Sequence, residues 1–127
     1  MNPKIMLVED DHTMMTLLTT LLRFEGFETA IIKNDESLDI IMEDIRQEMP
    51  DVILLDVHLR RINGLDLLSA IRQDKRTCQI GVIMTSGMDV SQRCMDLGAN
   101  VFILKPYMPE DLLQKIRQVI ADTEQRG

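Results

Sequence analysis

A chain of 127 residues suits one compact core and is too short for two, and its 45% hydrophobic and 28% charged content excludes a disordered or fibrous protein. No apolar run approaches the roughly 20 residues of a membrane helix, and the Met1-Asn2-Pro3-Lys4 start lacks the apolar stretch of a signal peptide. A formal net charge of -7 disfavours a phosphate backbone as ligand. The expectation is a single cytoplasmic domain over 1–127, with its core at about 4–120 and a tail at 121–127 that could begin a linker, binding neither membrane nor nucleic acid directly.

Ile5-Met6-Leu7-Val8 is a continuous apolar run of the kind that forms a strand buried on both faces. Helical spacing follows at Met14, Leu18, Leu21 and Leu22, and Phe27 to Ile32 reads as a less uniform strand near a sheet edge. Leu38, Ile41, Met42, Ile45 and Met49 predict a second helix, and Val52-Ile53-Leu54-Leu55 a third strand. Leu67, Leu68 and Ile71 mark the next helix, and Val82-Ile83-Met84 the next strand. Val90, Cys94 and Leu97 give the weakest helical pattern. Val101-Phe102-Ile103-Leu104 is the fifth strand, and Leu112, Leu113, Ile116, Val119 and Ile120 define the last helix. Pro109 belongs in its first turn, followed by Glu110 and Asp111 where the helix dipole favours acids. Met108 cannot supply a side-chain cap, so a frayed or shifted start is expected there. Cys78 and Cys94 lack the spacing of a metal site and read as reduced structural thiols.

Five strand-then-helix repeats with right-handed crossovers predict an α/β fold, a doubly wound five-stranded parallel sheet, which binds ligands outside the carboxyl ends of its strands. Those ends carry Glu9, Asp10 and Asp11, then Asp56, then Ser86 and Gly87, then Lys105. Gathered carboxylates either raise a pKa or hold a cation, and Mg²⁺ prefers oxygen ligands while keeping several waters. Glu9, Asp10 and Asp56 are the candidate carboxylates. Their -3, a divalent ion's +2 and the +1 of Lys105 sum to zero, so an incoming phosphoryl group would need metal and ammonium contacts while the Asp56 carboxylate attacks in line. Ser86 can add a hydrogen bond that draws its loop toward the phosphate. Asp11 alone reads as a helix cap, and His12 as a solvated residue at the helix start.

From about Lys4 to Val119 these motifs resemble the receiver domain of bacterial two-component response regulators. Glu9-Asp10-Asp11 is similar to the family's acidic cluster, Asp56 to its phosphoacceptor, Ser86-Gly87 to its Ser/Thr-Ala/Gly pair and Lys105-Pro106 to its Lys-Pro signature. The resemblance implies the flavodoxin-like strand order 2-1-3-4-5 and a Mg²⁺ or Mn²⁺ requirement. It further implies a metal-binding backbone carbonyl at His58, a switching aromatic at Phe102 and a cis bond before Pro106. The phosphoryl donor it implies is a histidine kinase or histidine phosphotransfer protein. Phosphorylation would alter the face made by the fourth helix, fifth strand and last helix, through which a dimer could form. The receiver would act on a downstream protein or on an output domain, and would be an enzyme only toward its own phosphoryl group.

The sequence departs from the family at Arg60, where many receivers have proline; Arg60 and its neighbour Arg61 read as solvated charges. The His58 imidazole, close to Asp56, either overhangs the phosphate or is a surface side chain. Rival readings are a nucleotide- or flavin-binding enzyme, an aspartyl-phosphate phosphatase, and a receiver-like interaction module that works without phosphorylation. The first lacks a phosphate-binding loop.

Overall fold

The computed structural model describes residues 2–32 and 35–126 and has the expected architecture. Its elements are β1 (Lys4–Val8), α1 (His12–Phe24), β2 (Glu28–Ile31), α2 (Leu38–Glu48), β3 (Val52–Asp56), α3 (Gly64–Gln73), β4 (Gly81–Ser86), α4 (Ser91–Asp96), β5 (Val101–Leu104) and α5 (Pro109–Arg126). The strands form one parallel sheet in the order β2-β1-β3-β4-β5.

The apolar runs are continuous because both sheet faces are covered. Ile5, Leu7, Val52, Leu54 and Ile83 point to one face, under Leu18 and Leu22 of α1 and Leu112, Leu113, Ile116 and Val119 of α5. Met6, Val8, Ile53, Leu55, Val82 and Met84 alternate to the other face, under Ile41, Met42 and Ile45 of α2, Leu67, Leu68 and Ile71 of α3 and Cys94 of α4. Removing each such side chain from water is worth about 1.5–3 kcal/mol. The sheet is therefore a rigid platform whose carboxyl-end loops can hold charged groups in fixed positions.

Several helix starts are capped by the residue types the sequence supplies. Asp11 accepts from the Met14 N–H at 3.0 Å, Ser37 from Ile40 at 3.2 Å and Asn63 from Leu65 at 2.7 Å.

The structure corrects some expectations. Met49 does not join the inward face of α2; it ends the helix in the left-handed conformation, with φ 43°, and is exposed. Helix α4 has only six residues, with Val90 and Leu97 outside it as flanking caps. Helix α5 is not shifted by Met108: it begins at Pro109, and the Met108 carbonyl accepts from the N–H groups of Asp111 and Leu112. Helix α5 itself runs through Arg126, so segment 121–126 continues it, while Gly127 lies outside the described residues. Among the described residues no helix is long and apolar enough to cross a membrane. Cys78 and Cys94 are free thiols.

Candidate phosphoryl-acceptor site

The order of the sheet brings β1, β3 and β5 charges to one rim. Asp56 is the last residue of β3 and only 9% exposed, a costly place for a carboxylate unless it is paired. Lys105, just past β5, supplies the pair: its Nζ lies 3.0 Å from Asp56 Oδ2 and 3.2 Å from Glu9 Oε1. The other oxygen of each acid is held by main chain. His58 N–H donates to Asp56 Oδ1 at 3.1 Å, and Asp10 N–H donates to Glu9 Oε2 at 2.9 Å. Asp10 is turned differently, its Oδ2 accepting from the N–H of Arg60 in the β3–α3 loop. The peptide bond between Lys105 and Pro106 is cis.

These contacts set the electrostatics. Burial raises the Glu9 pKa first, and a hydrogen bond and charge from Asp56 push it further, with Lys105 offsetting part of the rise. Burial also works against the Lys105 ammonium, but hydrogen bonds and charges from Asp56 and Glu9 outweigh it and hold its pKa above the ordinary lysine value. Tyr107, which the sequence reading passed over, borders the same charges. Burial pushes its pKa up, the Lys105 charge pulls it down, and Glu9 and Asp56 add to the rise.

A cleft of about 910 Å³ opens above this cluster, lined by Glu9, Asp10, Asp56, His58, Arg60 and Lys105 among others. The donor set suits a hard divalent cation in chemistry, because Asp56 lies close enough to Glu9 to help raise the Glu9 pKa, and a cation would relieve that repulsion. Among the described residues, however, no three acidic, histidine or cysteine side chains converge as a ready-made ligand group. Lys105 occupies the position between Glu9 and Asp56.

Ser86 ends β4, fully buried, and its Oγ accepts from the Met88 N–H at 3.0 Å, so its hydroxyl is engaged by its own loop rather than by Asp56. Phe102 is partly buried against the face covered by α3 and α4. The His58 side chain is exposed at the cleft and its backbone pairs with Asn63. Arg61 is exposed and forms a 3.7 Å ion pair with Asp35, close to the solvated state expected of it. Asp11 is the α1 cap, and His12 is an exposed residue in its first turn.

Gly64 is needed at the back of the site. A Cβ there would lie 2.3 Å from the Asp56 carbonyl oxygen and 2.8 Å from both Val57 Cα and its carbonyl oxygen. The absence of a side chain lets α3 start directly against the strand end that presents Asp56. Sequence gave no signal for a brace on the opposite rim. Arg72 of α3 donates to the carbonyls of Gly98, Cys78 and Ile80 and to Asn100 Oδ1, at 2.6–3.1 Å.

Comparisons with known proteins agree with this geometry. The family model for the Response regulator receiver domain matches residues 5–117. The DNA-binding response regulator MtrA of Mycolicibacterium paratuberculosis is 33% identical over 119 residues, covering 92% of this chain and 51% of the relative. The transcriptional regulatory protein CpxR of Escherichia coli K12 is 34% identical over 119 residues, covering 92% and 49%. The chain thus spans about half the length of these curated relatives. The crystal structure of a CheY-like response regulator receiver domain protein from Methanospirillum hungatei superposes with a TM-score of 0.87 at 26% identity, covering all of both chains.

Proposed function

The chain belongs to the response regulator receiver domain family, and from that premise we propose that it is a switch thrown by phosphorylation of Asp56. The observation that carries the reading is the buried Asp56 carboxylate at a strand end, held by Lys105 on one oxygen and the His58 N–H on the other. An Asp56 oxygen attacks phosphorus, the bond from phosphorus to the donor's leaving group breaks, and the leaving group departs with the electron pair. The phosphohistidine of a histidine kinase or phosphotransfer protein is the proposed donor. Lys105 moves from bridging two carboxylates to neutralising the phosphoryl oxygens, without leaving the site.

Glu9, Asp10 and Asp56, with the backbone carbonyl of His58, would hold Mg²⁺ or Mn²⁺. The ion would supply positive charge to the equatorial phosphoryl oxygens. The chemistry of the donors supports this assignment, and the resting contacts of Lys105 and Asp10 mean that the acids must rearrange to use it. Ser86 Oγ can keep accepting from the Met88 N–H while its own proton is donated to the phosphate, so a shift of the hydroxyl toward the phosphate would pull through that bond on the loop leading into α4.

Exposed Met88, Met95, Leu104 and Met108 around α4, β5 and the start of α5 give this movement an adaptable apolar surface on which to act. A dimer, a downstream protein or an output domain would read it, in the cytoplasm. Intact mass after incubation with acetyl phosphate tests the proposal. A single Mg²⁺-dependent phosphoryl adduct on the wild type, lost in Asp56→Asn, is expected; no adduct while a known receiver is labelled alongside would overturn it and favour an interaction module independent of phosphorylation.

A further inference from the structure

The β3–α3 loop carries two adjacent arginines, and their surroundings differ. Arg61 forms a 3.7 Å ion pair with Asp35. Arg60 is exposed and lines the cleft above Asp56, and its side chain has no hydrogen bond or ion pair among the described residues. Its place at the cleft is nonetheless set by the main chain, because its backbone N–H is bonded to Asp10 Oδ2 at the edge of the acidic cluster. Lys105, the cation deeper in the cleft, is engaged by Glu9 at 3.2 Å and by Asp56 at 3.0 Å.

The cleft walls hold five carboxylates against three permanent cations, Arg60, Arg61 and Lys105, a formal charge of -2 with both histidines neutral. The chain as a whole carries -7. A phosphoryl donor is an anion, and a divalent cation at the acids would bring the cleft only to neutrality, leaving no net attraction at its mouth. We infer that the Arg60 guanidinium is a binding group for the donor's phosphoryl anion, taking it up at the mouth of the cleft before transfer to Asp56. The inference rests on the acceptor reading above and adds the encounter that precedes the chemistry. A guanidinium offers N–H donors in a planar fork that matches phosphoryl oxygens. At an exposed cleft mouth its charge acts chiefly on the rate of encounter, and salt screens it. A merely solvated arginine would leave that rate alone.

Acetyl phosphate and phosphoramidate separate the sources of the anion: the first is an acyl phosphate, and the second has the P–N bond of a phosphohistidine and less net charge. The second-order rate of Asp56 labelling in excess Mg²⁺ is followed by intact mass for wild type, Arg60→Ala, Arg60→Lys and Arg60→Glu, all of which keep the backbone N–H. Each is measured at low salt and at about 0.5 M KCl, where screening acts within a few ångströms. At low salt Arg60→Ala should label about 3–10-fold more slowly with acetyl phosphate, Arg60→Glu more slowly still, and Arg60→Lys within about 2-fold of wild type. The loss should be smaller with phosphoramidate and should shrink toward none at high salt. Urea midpoints should be unchanged, since the side chain is exposed. Labelling of Arg60→Ala at the wild-type rate in low salt would overturn the inference and leave Asp56 as the acceptor. So would a loss that persists at high salt, that Arg60→Lys shares, or that is no smaller with phosphoramidate, because each means that the residue does not act through its charge. A wild type that takes no phosphoryl group would overturn the acceptor reading itself, and this inference with it.

Discussion

Replacing Gly64 by alanine should destabilise the domain and disturb its acceptor site together. The new Cβ would meet the Asp56 carbonyl oxygen at 2.3 Å and two Val57 backbone atoms at 2.8 Å, and none of these can swing aside as a side-chain tip could. The Gly64 N–H is itself bonded to the Val57 carbonyl at 3.0 Å, so the strand end and the helix start must separate to make room. Overpacking of this kind costs about 1–3 kcal/mol, and the obstruction is main chain, which places it toward the upper end. Alanine returns about 0.5–1 kcal/mol through its better helix propensity. The net loss is about 2 kcal/mol, or roughly 6–10 °C in Tm for a domain of this length. Urea and thermal unfolding of Gly64→Ala should show it, with Gly87→Ala as control: that Cβ meets no heavy atom within 4 Å and should change stability by less than about 0.5 kcal/mol. Because the displaced atoms belong to Asp56 and Val57, labelling by acetyl phosphate should slow as well. Gly64→Ala with the stability of wild type would refute the packing argument.

Removing the Lys105 ammonium in Lys105→Met leaves Glu9 and Asp56 facing each other without their bridging cation; acetyl phosphate labelling, followed by intact mass, should fall at least about 10-fold. Arg72→Ala removes the donor to the carbonyls of Gly98, Cys78 and Ile80, while Asn100 Oδ1 keeps its bond from the Val82 N–H, and should cost about 2–4 kcal/mol in urea unfolding. The hydrogen bond from Arg46 holds the Asp74 pKa below the usual carboxylate value, so this group stabilises the fold above its unfolded pKa near 4 and loses that contribution as pH falls through the lower folded value. Asp74→Asn should therefore flatten the acid arm of the urea midpoint plotted against pH below about 4, with a loss of stability already present at neutral pH.

The architecture was legible because parallel strands covered on both faces must be apolar throughout, as in Ile5–Val8 and Val52–Leu55, and a charge directly after such a run stands at a loop. That logic placed Glu9, Asp56, Ser86 and Lys105 on one rim. It failed where local pattern does not encode the deciding contact. Met49 continues the helical spacing of α2, yet the chain must turn there to reach β3, and a left-handed cap overrides the pattern. Helix α4 is too short for periodicity to bound. The reach of Arg72 to carbonyls across the amino-end rim depends on distant segments meeting. The contact of Arg60 with Asp10 is made by its backbone N–H, which the residue type does not announce. Ser86 stands at the end of β4, but its bond to the Met88 N–H follows from the loop's path rather than from its type.

The central claim is that the phosphoryl group resides on the Asp56 carboxylate. Borohydride reduction of protein treated with acetyl phosphate and Mg²⁺ converts an aspartyl phosphate to homoserine, which peptide mass mapping locates. The account predicts homoserine at position 56 alone, dependent on Mg²⁺. Homoserine at Asp10 or Asp11, or phosphate retained on His12 or His58 with Asp56 unchanged, would contradict it.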